Sequence, residues 1–347
     1  MKIFEKIKNF FKKKETPVRA EDISILSQIN PQKAEKILID YIKRNKRIPH
    51  FVYIYLGNIY RYKGKYEDAL RTHKIILSEP NLSREEKQQI YKEICIDYIK
   101  LGKFEKTKEF LKKIEDRDIK DDILKELLKS YIEKGAWENG LEIFEKLKIG
   151  NKEEIYSIAY ISTKNEKFAK KIKETNSPIV LFALSLYHKN KGNYKKTFQY
   201  HIEILKNFPK YSFLIIDDFQ NLMFEEGKFG EILTTLSNIE NPWAKFINLI
   251  ILTKMGEKDK VSEIVEDILQ SKPDILLLKK IYEFLKLYGE YKDILKIADK
   301  IIEKSEEIWI CKVCGYKTKE FNWICPSCLS ISSFILSDAI SSTASSV

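Results

Sequence analysis

From about residue 22 to residue 304, apolar positions recur at the three-to-four spacing of one helix face, with lysine and glutamate filling the positions between. The helical stretches are punctuated in a regular way. A glycine followed two residues later by an aromatic recurs at Gly64/Tyr66, Gly102/Phe104, Gly135/Trp137, Gly192/Tyr194, Gly227/Phe229 and Gly289/Tyr291, while Gly256 keeps the glycine alone. Where no unit is skipped the interval is about 34 residues, the period of tetratricopeptide repeats. The clearest unit runs through Tyr53, Leu56, Gly57, Tyr60, Gly64, Tyr66 and Ala69 to a closing Pro80. Small residues stand where the two helices of a repeat must approach: Gly57 and Ala69, Cys95 and Thr107, Ser185 and Thr197. Lys152 to Lys173 reads as a degenerate unit that carries Phe168 without the glycine. The pattern predicts an all-α chain of about nine helix pairs stacked into a right-handed superhelix with a concave face.

In this frame Cys95 is a buried small residue rather than a reactive thiol, and His73 and His201, which share one place in the repeat, are core histidines rather than ligands. The concave face is expected to expose Phe51, Ile54, Asn58, Arg61 and Tyr62 in the clearest repeat. An amide, a guanidinium and a phenol converging in a groove would suit a peptide backbone or a carboxylate. Ordinary surface polarity is the competing reading. On the groove reading, a joint change at Asn58 and Arg61 is expected to remove the contact and leave the repeat intact.

The periodicity stops before a stretch of different chemistry. Cys311/Cys314 and Cys325/Cys328 form two C-x-x-C pairs with ten residues between them. Such a turn lets two thiolates reach one metal, and two facing turns complete a tetrahedral sulfur site. Gly315 suits a knuckle turning through positive φ, and Pro326 stiffens the second one. Two disulfides are the alternative, but paired C-x-x-C at short spacing is a metal pattern. Trp309, Tyr316, Phe321 and Trp323 are the apolar material available to pack around the ion. So small a module needs the metal for much of its folding energy. A closed four-sulfur site offers no open position for hydrolysis.

At the other end, Ile3, Phe4, Ile7, Phe10 and Phe11 fall on one stripe of a helix, with Lys2, Lys6, Lys8, Lys12, Lys13 and Lys14 opposite. A basic helix of this kind suits the surface of an anionic membrane; packing against the body of the protein is the alternative. These readings divide the chain into a basic amphipathic segment (1–16), a repeat array (17–304), a rubredoxin-like or zinc-ribbon module (305–333) and a flexible serine-rich tail (334–347).

Composition narrows the function classes. Of 347 residues 44% are hydrophobic, which excludes general disorder. The net charge of +11 is spread along nearly every segment, and no basic cluster interleaved with aromatics runs along the repeats, so a nucleic-acid partner is not expected. No apolar run is long enough to span a bilayer, and lysines interrupt any signal peptide. With thiols in metal-binding spacing, this points to a reducing cytoplasm. No Ser/His/Asp set, phosphate-cradling glycine loop or carboxylate pair suggests an enzyme.

The C-x-x-C-G-Y and C-P-x-C knuckles resemble those of rubredoxin with a shorter spacer, which leaves iron or zinc open. Repeats ending in such a module resemble the lipopolysaccharide assembly protein B family of bacterial tetratricopeptide proteins. The likeness is sharpest in Leu56 to His73, in Asn81 to Glu86, and in the module with Trp323 and Cys325-Pro-Ser-Cys328. It departs at the N-terminus, where better-known members carry a transmembrane helix. The resemblance implies an adaptor, peripheral at the cytoplasmic face of the inner membrane, that brings the committed-step deacetylase of lipopolysaccharide synthesis to a membrane-bound AAA+ protease and gathers other pathway enzymes. A homo-oligomer stays open. The alternatives are a rubredoxin-type electron-transfer protein with a repeat docking domain, and a generic protein–protein scaffold.

Overall fold

The computed structural model describes residues 20–219, 222, 229–257, 260–288 and 307–337. The N-terminal stripe of Ile3, Phe4, Ile7, Phe10 and Phe11 lies outside the described residues, as do Gly227 and the Gly289/Tyr291 turn. The chain divides into two compact units, Met1–Ile143 and Phe144–Val347.

In the first unit the described helices are α1 (Ala20–Ile29), α2 (Pro31–Arg44), α3 (His50–Tyr62), α4 (Tyr66–Ile76), α5 (Arg84–Lys100), α6 (Phe104–Leu111) and α7 (Arg117–Glu133). The division falls within α8 (Trp137–Leu147). The glycine-x-aromatic signal marks the turns inside the pairs α3/α4, α5/α6 and α7/α8, as expected, whereas α1 and α2 meet at Asn30. Gly64 turns at φ +75°, a conformation that costs a side chain dearly and glycine nothing, and Tyr66 then opens α4. Phe104 and Trp137 open α6 and α8 in the same way. Successive helices bury continuous apolar faces, with Ile23, Leu26, Leu38, Val52, Leu56 and Ile59 in one cluster and Leu70, Ile76, Ile90, Ile94 and Tyr98 in the next. Helix α5 starts on a capping box, Ser83 with Glu86, which satisfies two otherwise orphaned amides. Burial lifts the Cys95 thiol to about 12, and its sulfur lies 3.8 Å from the Thr107 carbonyl. The thiol is inert packing material.

The second unit continues with α9 (Lys152–Thr163), α10 (Glu166–Ala169), α11 (Pro178–Asn190), α12 (Tyr194–Asn207), a 3₁₀ segment (Pro209–Leu214), α13 (Phe229–Ser237), α14 (Pro242–Lys254), α15 (Val261–Gln270) and α16 (Ile275–Tyr288). The degenerate repeat is visible as such: Lys164 takes the left-handed turn at φ +57° that glycine takes elsewhere, and α10 is a four-residue stub. Ser185 and Thr197 are both fully buried, with the threonine hydroxyl 3.4 Å from the serine carbonyl. His201 is also fully buried.

The chain ends, among the described residues, in a small sheet of order β2-β1-β3: β1 (Trp309–Cys311), β2 (Lys317–Thr318) and β3 (Phe334–Leu336), with both neighbours antiparallel to β1. This corrects the boundary expected at residue 333. Phe334 is buried and pairs with Cys311, so the run from Phe334 to Leu336 is a strand of the module and not the start of a flexible tail. The alternating apolar side chains of Phe334 and Leu336 pack on the metal-site cluster, which outweighs the serine-rich composition around them. Residues 338–347 lie outside the described set.

Candidate metal centre

The two C-x-x-C turns are built alike. In the first, the Gly315 amide donates to the Cys311 carbonyl and the Cys311 amide to the Tyr316 carbonyl, both at 2.9 Å. In the second, the Leu329 amide donates to the Cys325 carbonyl at 2.8 Å and the Cys325 amide to the Ser330 carbonyl at 2.9 Å. Ile310 pairs with Lys317, and Ile324 bridges Ile331 at the matching place. The residue after the second thiol has positive φ in both turns, Gly315 at +75° and Leu329 at +64°. The first knuckle uses glycine for this. The second instead places there a leucine only 2% exposed, so the strain of a left-handed side chain is offset by burial.

The turns bring the four sulfurs to within 4.8 Å of one another. Cys311 and Cys328 stand 3.8 Å apart and Cys314 and Cys325 3.6 Å apart. A tetrahedral ion with metal–sulfur bonds of ~2.3 Å requires edges of about 3.8 Å, whereas a disulfide closes to ~2.05 Å. The four thiols fit one metal ion and not two disulfides. All donors are soft sulfur, which suits zinc or iron.

The environment of the sulfurs is uneven. Burial raises the Cys311 thiol, but hydrogen bonds from Ser330, Ser333 and the amides of Cys314 and Val313 outweigh it and hold it at about 5. Burial also raises Cys328, and Ser330 together with the neighbouring thiols brings it below the usual thiol range. Burial pushes Cys325 up to about 12, against the opposing pull of the Cys328 and Ser327 amides. Cys314 is exposed.

The module does not stand alone as the expected boundaries implied. It is seated on helices of its own unit through an aromatic cluster. Trp323 stacks on Tyr211 at 5.1 Å between ring centroids and lies 5.9 Å from Phe182. Phe213 meets Trp309 at 5.2 Å and Phe321 at 5.4 Å. The Tyr211 hydroxyl donates to the Ser332 carbonyl at 3.2 Å, and Ile331 presses against Gly150, where an added Cβ would meet its Cδ1 at 2.4 Å. Of the aromatics expected around the ion, Trp309, Phe321 and Trp323 serve this contact, while Tyr316 is exposed.

The groove residues come out differently from expectation. Only Tyr62 is exposed, at 81%. Phe51 and Ile54 are half-buried against the apolar clusters, and the Asn58 side-chain oxygen is buried. Arg61 is turned into the unit: its Nε donates to Asp97 at 2.7 Å, and its Nη2 donates to Glu93 at 2.8 Å. The other Asp97 oxygen accepts from His73 Nδ1 at 2.5 Å, and His73 Nε2 faces the Ile54 carbonyl at 3.2 Å. His73 and Asp97 are fully buried. Repeat periodicity places Arg61 on the right helix but does not reveal the two carboxylates that the next repeat supplies. The clue in the sequence is an Arg/Asp pair offset by about one repeat.

No protein-family model matches the chain, and no curated protein matches it. No described helix is long and apolar enough to cross a membrane.

Proposed function

We propose that this chain is a non-enzymatic adaptor in which helix pairs hold partner proteins and a structural metal centre braces the end of the array. The observation that carries the reading is the aromatic seating of the metal module. A centre whose four sulfurs close on one ion has no position left for a substrate, and burying Trp309 and Trp323 against Tyr211 and Phe213 makes the ion part of the architecture of its unit. Adaptors work by raising the effective concentration of two partners.

The resemblance in sequence to the lipopolysaccharide assembly protein B family gives the partners of this proposal: the committed-step deacetylase and a membrane-bound AAA+ protease, met at the cytoplasmic face of the inner membrane. The deciding measurement is the half-life of the deacetylase after translation is blocked, with and without this protein. A longer half-life in its absence is expected. An unchanged half-life would remove the degradation mechanism and leave a scaffold that does not control turnover.

Exposure of Cys314, beside Val313 at 69% exposure, favours electron transfer as the second reading, since one edge of the centre meets solvent. That reading requires iron and a reversible one-electron couple in the purified protein. A zinc-loaded chain rules it out.

A further inference from the structure

The two knuckles share a backbone plan but differ in the side chain two residues after the second thiol. Where the first carries Tyr316, directed to solvent, the second carries Ser330, whose hydroxyl turns inward. Ser330 Oγ lies 3.0 Å from Cys328 Sγ and 3.4 Å from Cys311 Sγ. Ser333, just ahead of β3 and 9% exposed, places its Oγ 3.2 Å from Cys311 Sγ. The two hydroxyl oxygens are 2.8 Å apart. Ser333 is held in place because its carbonyl accepts from the Lys312 amide at 2.9 Å, so the strand pairing that closes the sheet also aims this hydroxyl.

A thiolate only accepts, and each serine has one O–H. The Ser333 hydroxyl has the Ser330 carbonyl at 3.5 Å as its other acceptor and donates to the nearer Cys311 thiolate at 3.2 Å, and Ser330 donates either to Cys328 directly or to Ser333, making a two-hydroxyl chain that ends on Cys311. Among the described residues, the serine hydroxyls gather at Cys311 and Cys328 rather than at Cys314 or Cys325. The support therefore falls on one half of the site, Cys311 and Cys328.

We propose that Ser330 and Ser333 are positioning residues of the metal centre, donating O–H···S hydrogen bonds that stabilise the Cys311 and Cys328 thiolates and tighten the hold on the ion. The inference rests on the four-sulfur metal reading and goes beyond the adaptor role. Four thiolates around a divalent ion leave a net negative charge, and burying that charge is unfavourable unless donors point at the sulfurs. Hydrogen-bonded support around first ligands is worth about 10–100-fold in metal affinity.

The test uses the full chain and cobalt(II), whose thiolate charge-transfer absorption reports tetrahedral sulfur ligation, in competition with a chromophoric chelator. Ser330→Ala and Ser333→Ala are each expected to weaken cobalt and zinc binding by about 10-fold, and the pair by up to ~100-fold. Ser330→Thr keeps the hydroxyl and is expected to restore affinity. Ser332→Ala is the internal control, because the Ser332 hydroxyl has no hydrogen-bond partner among the described residues, and it is expected to leave affinity unchanged. In iron-loaded protein the double variant is expected to shift the midpoint potential negative, since hydrogen bonds favour the more negatively charged reduced centre. A double variant that binds cobalt as tightly as the native chain overturns this inference alone. A native chain that takes up no cobalt overturns the four-sulfur reading and this inference with it. Should the double variant not fold, the single variants and Ser330→Thr decide: singles that match the Ser332→Ala control overturn the proposal.

Discussion

Gly57→Ala tests the packing logic of the repeats at its tightest point. A Cβ built on Gly57 would lie 2.3 Å from His73 Nε2, 2.6 Å from Cε1 and 2.7 Å from Cδ2. The ring would have to withdraw by about 1 Å to reach ordinary van der Waals contact. It has little freedom to do so, because Asp97 holds Nδ1 at 2.5 Å and the Ile54 carbonyl faces Nε2 at 3.2 Å. In favour of alanine is its helix propensity, worth about 1 kcal/mol over glycine. Against it stand overpacking at about 1–3 kcal/mol and loosened hydrogen bonds to buried groups at about 1–3 kcal/mol. The net expectation is a loss of about 1–5 kcal/mol, read by hydrogen exchange of the α3 and α4 amides in the full chain. In a His73→Ala background the obstacle is gone, and the same Gly57→Ala change is expected to be neutral or to stabilise by up to ~1 kcal/mol. A loss of the same size in both backgrounds would refute the reasoning.

Three further perturbations probe other parts of the molecule. Trp323→Ala removes the ring stacked on Tyr211 and should cost the second unit about 3–5 kcal/mol; thermal melting and metal content equal to those of the native chain would show that the aromatic seating carries no energy. Arg61→Ala leaves buried Asp97 and Glu93 without their cation and should destabilise the first unit by about 3–5 kcal/mol, whereas Tyr62→Ala, at an exposed position, should change stability little; urea denaturation compares them, and equal midpoints would contradict the ion-pair account. His201 is held by burial, and secondarily by the Lys189 charge, at about 3, well below its ordinary 6.5. The folded state therefore keeps the ring neutral while the unfolded chain takes up a proton, so stability is lost as pH falls from 6.5 towards 3. Both ring nitrogens lack hydrogen-bond partners among the described residues, so His201→Phe should stabilise the unit and flatten this part of the pH profile; a melting temperature that falls as steeply with pH in the variant as in the native chain counts against it.

The repeat turns are legible in the sequence because they depend on local chemistry: a left-handed glycine and an aromatic at the start of the following helix need only three residues. The metal ligands are legible for the same reason, since a C-x-x-C turn carries its geometry within itself. What stays hidden depends on partners brought from afar. Arg61 reads as a groove residue until Glu93 and Asp97 of the following repeat close on it, so a joint change at Asn58 and Arg61 disturbs the fold as well as any surface, and Tyr62 is the cleaner probe. Phe334 to Leu336 reads as a tail because three apolar residues among serines carry no periodicity; they become a strand only because β1 offers an open edge. Ser330 and Ser333 sit in the same serine-rich stretch, and only the second knuckle, which turns Ser330 inward, and the pairing of β3, which aims Ser333, distinguish them from its other serines.

The architecture proposed for the second unit depends most directly on the four sulfurs holding one ion. Elemental analysis of the full chain, purified under reducing conditions without chelator, measures this together with the number of free thiols. The prediction is one zinc or iron per chain, lost when Cys311 or Cys325 is changed to serine, with no disulfide present. Protein that contains no metal, or whose four thiols are paired as disulfides, would contradict it.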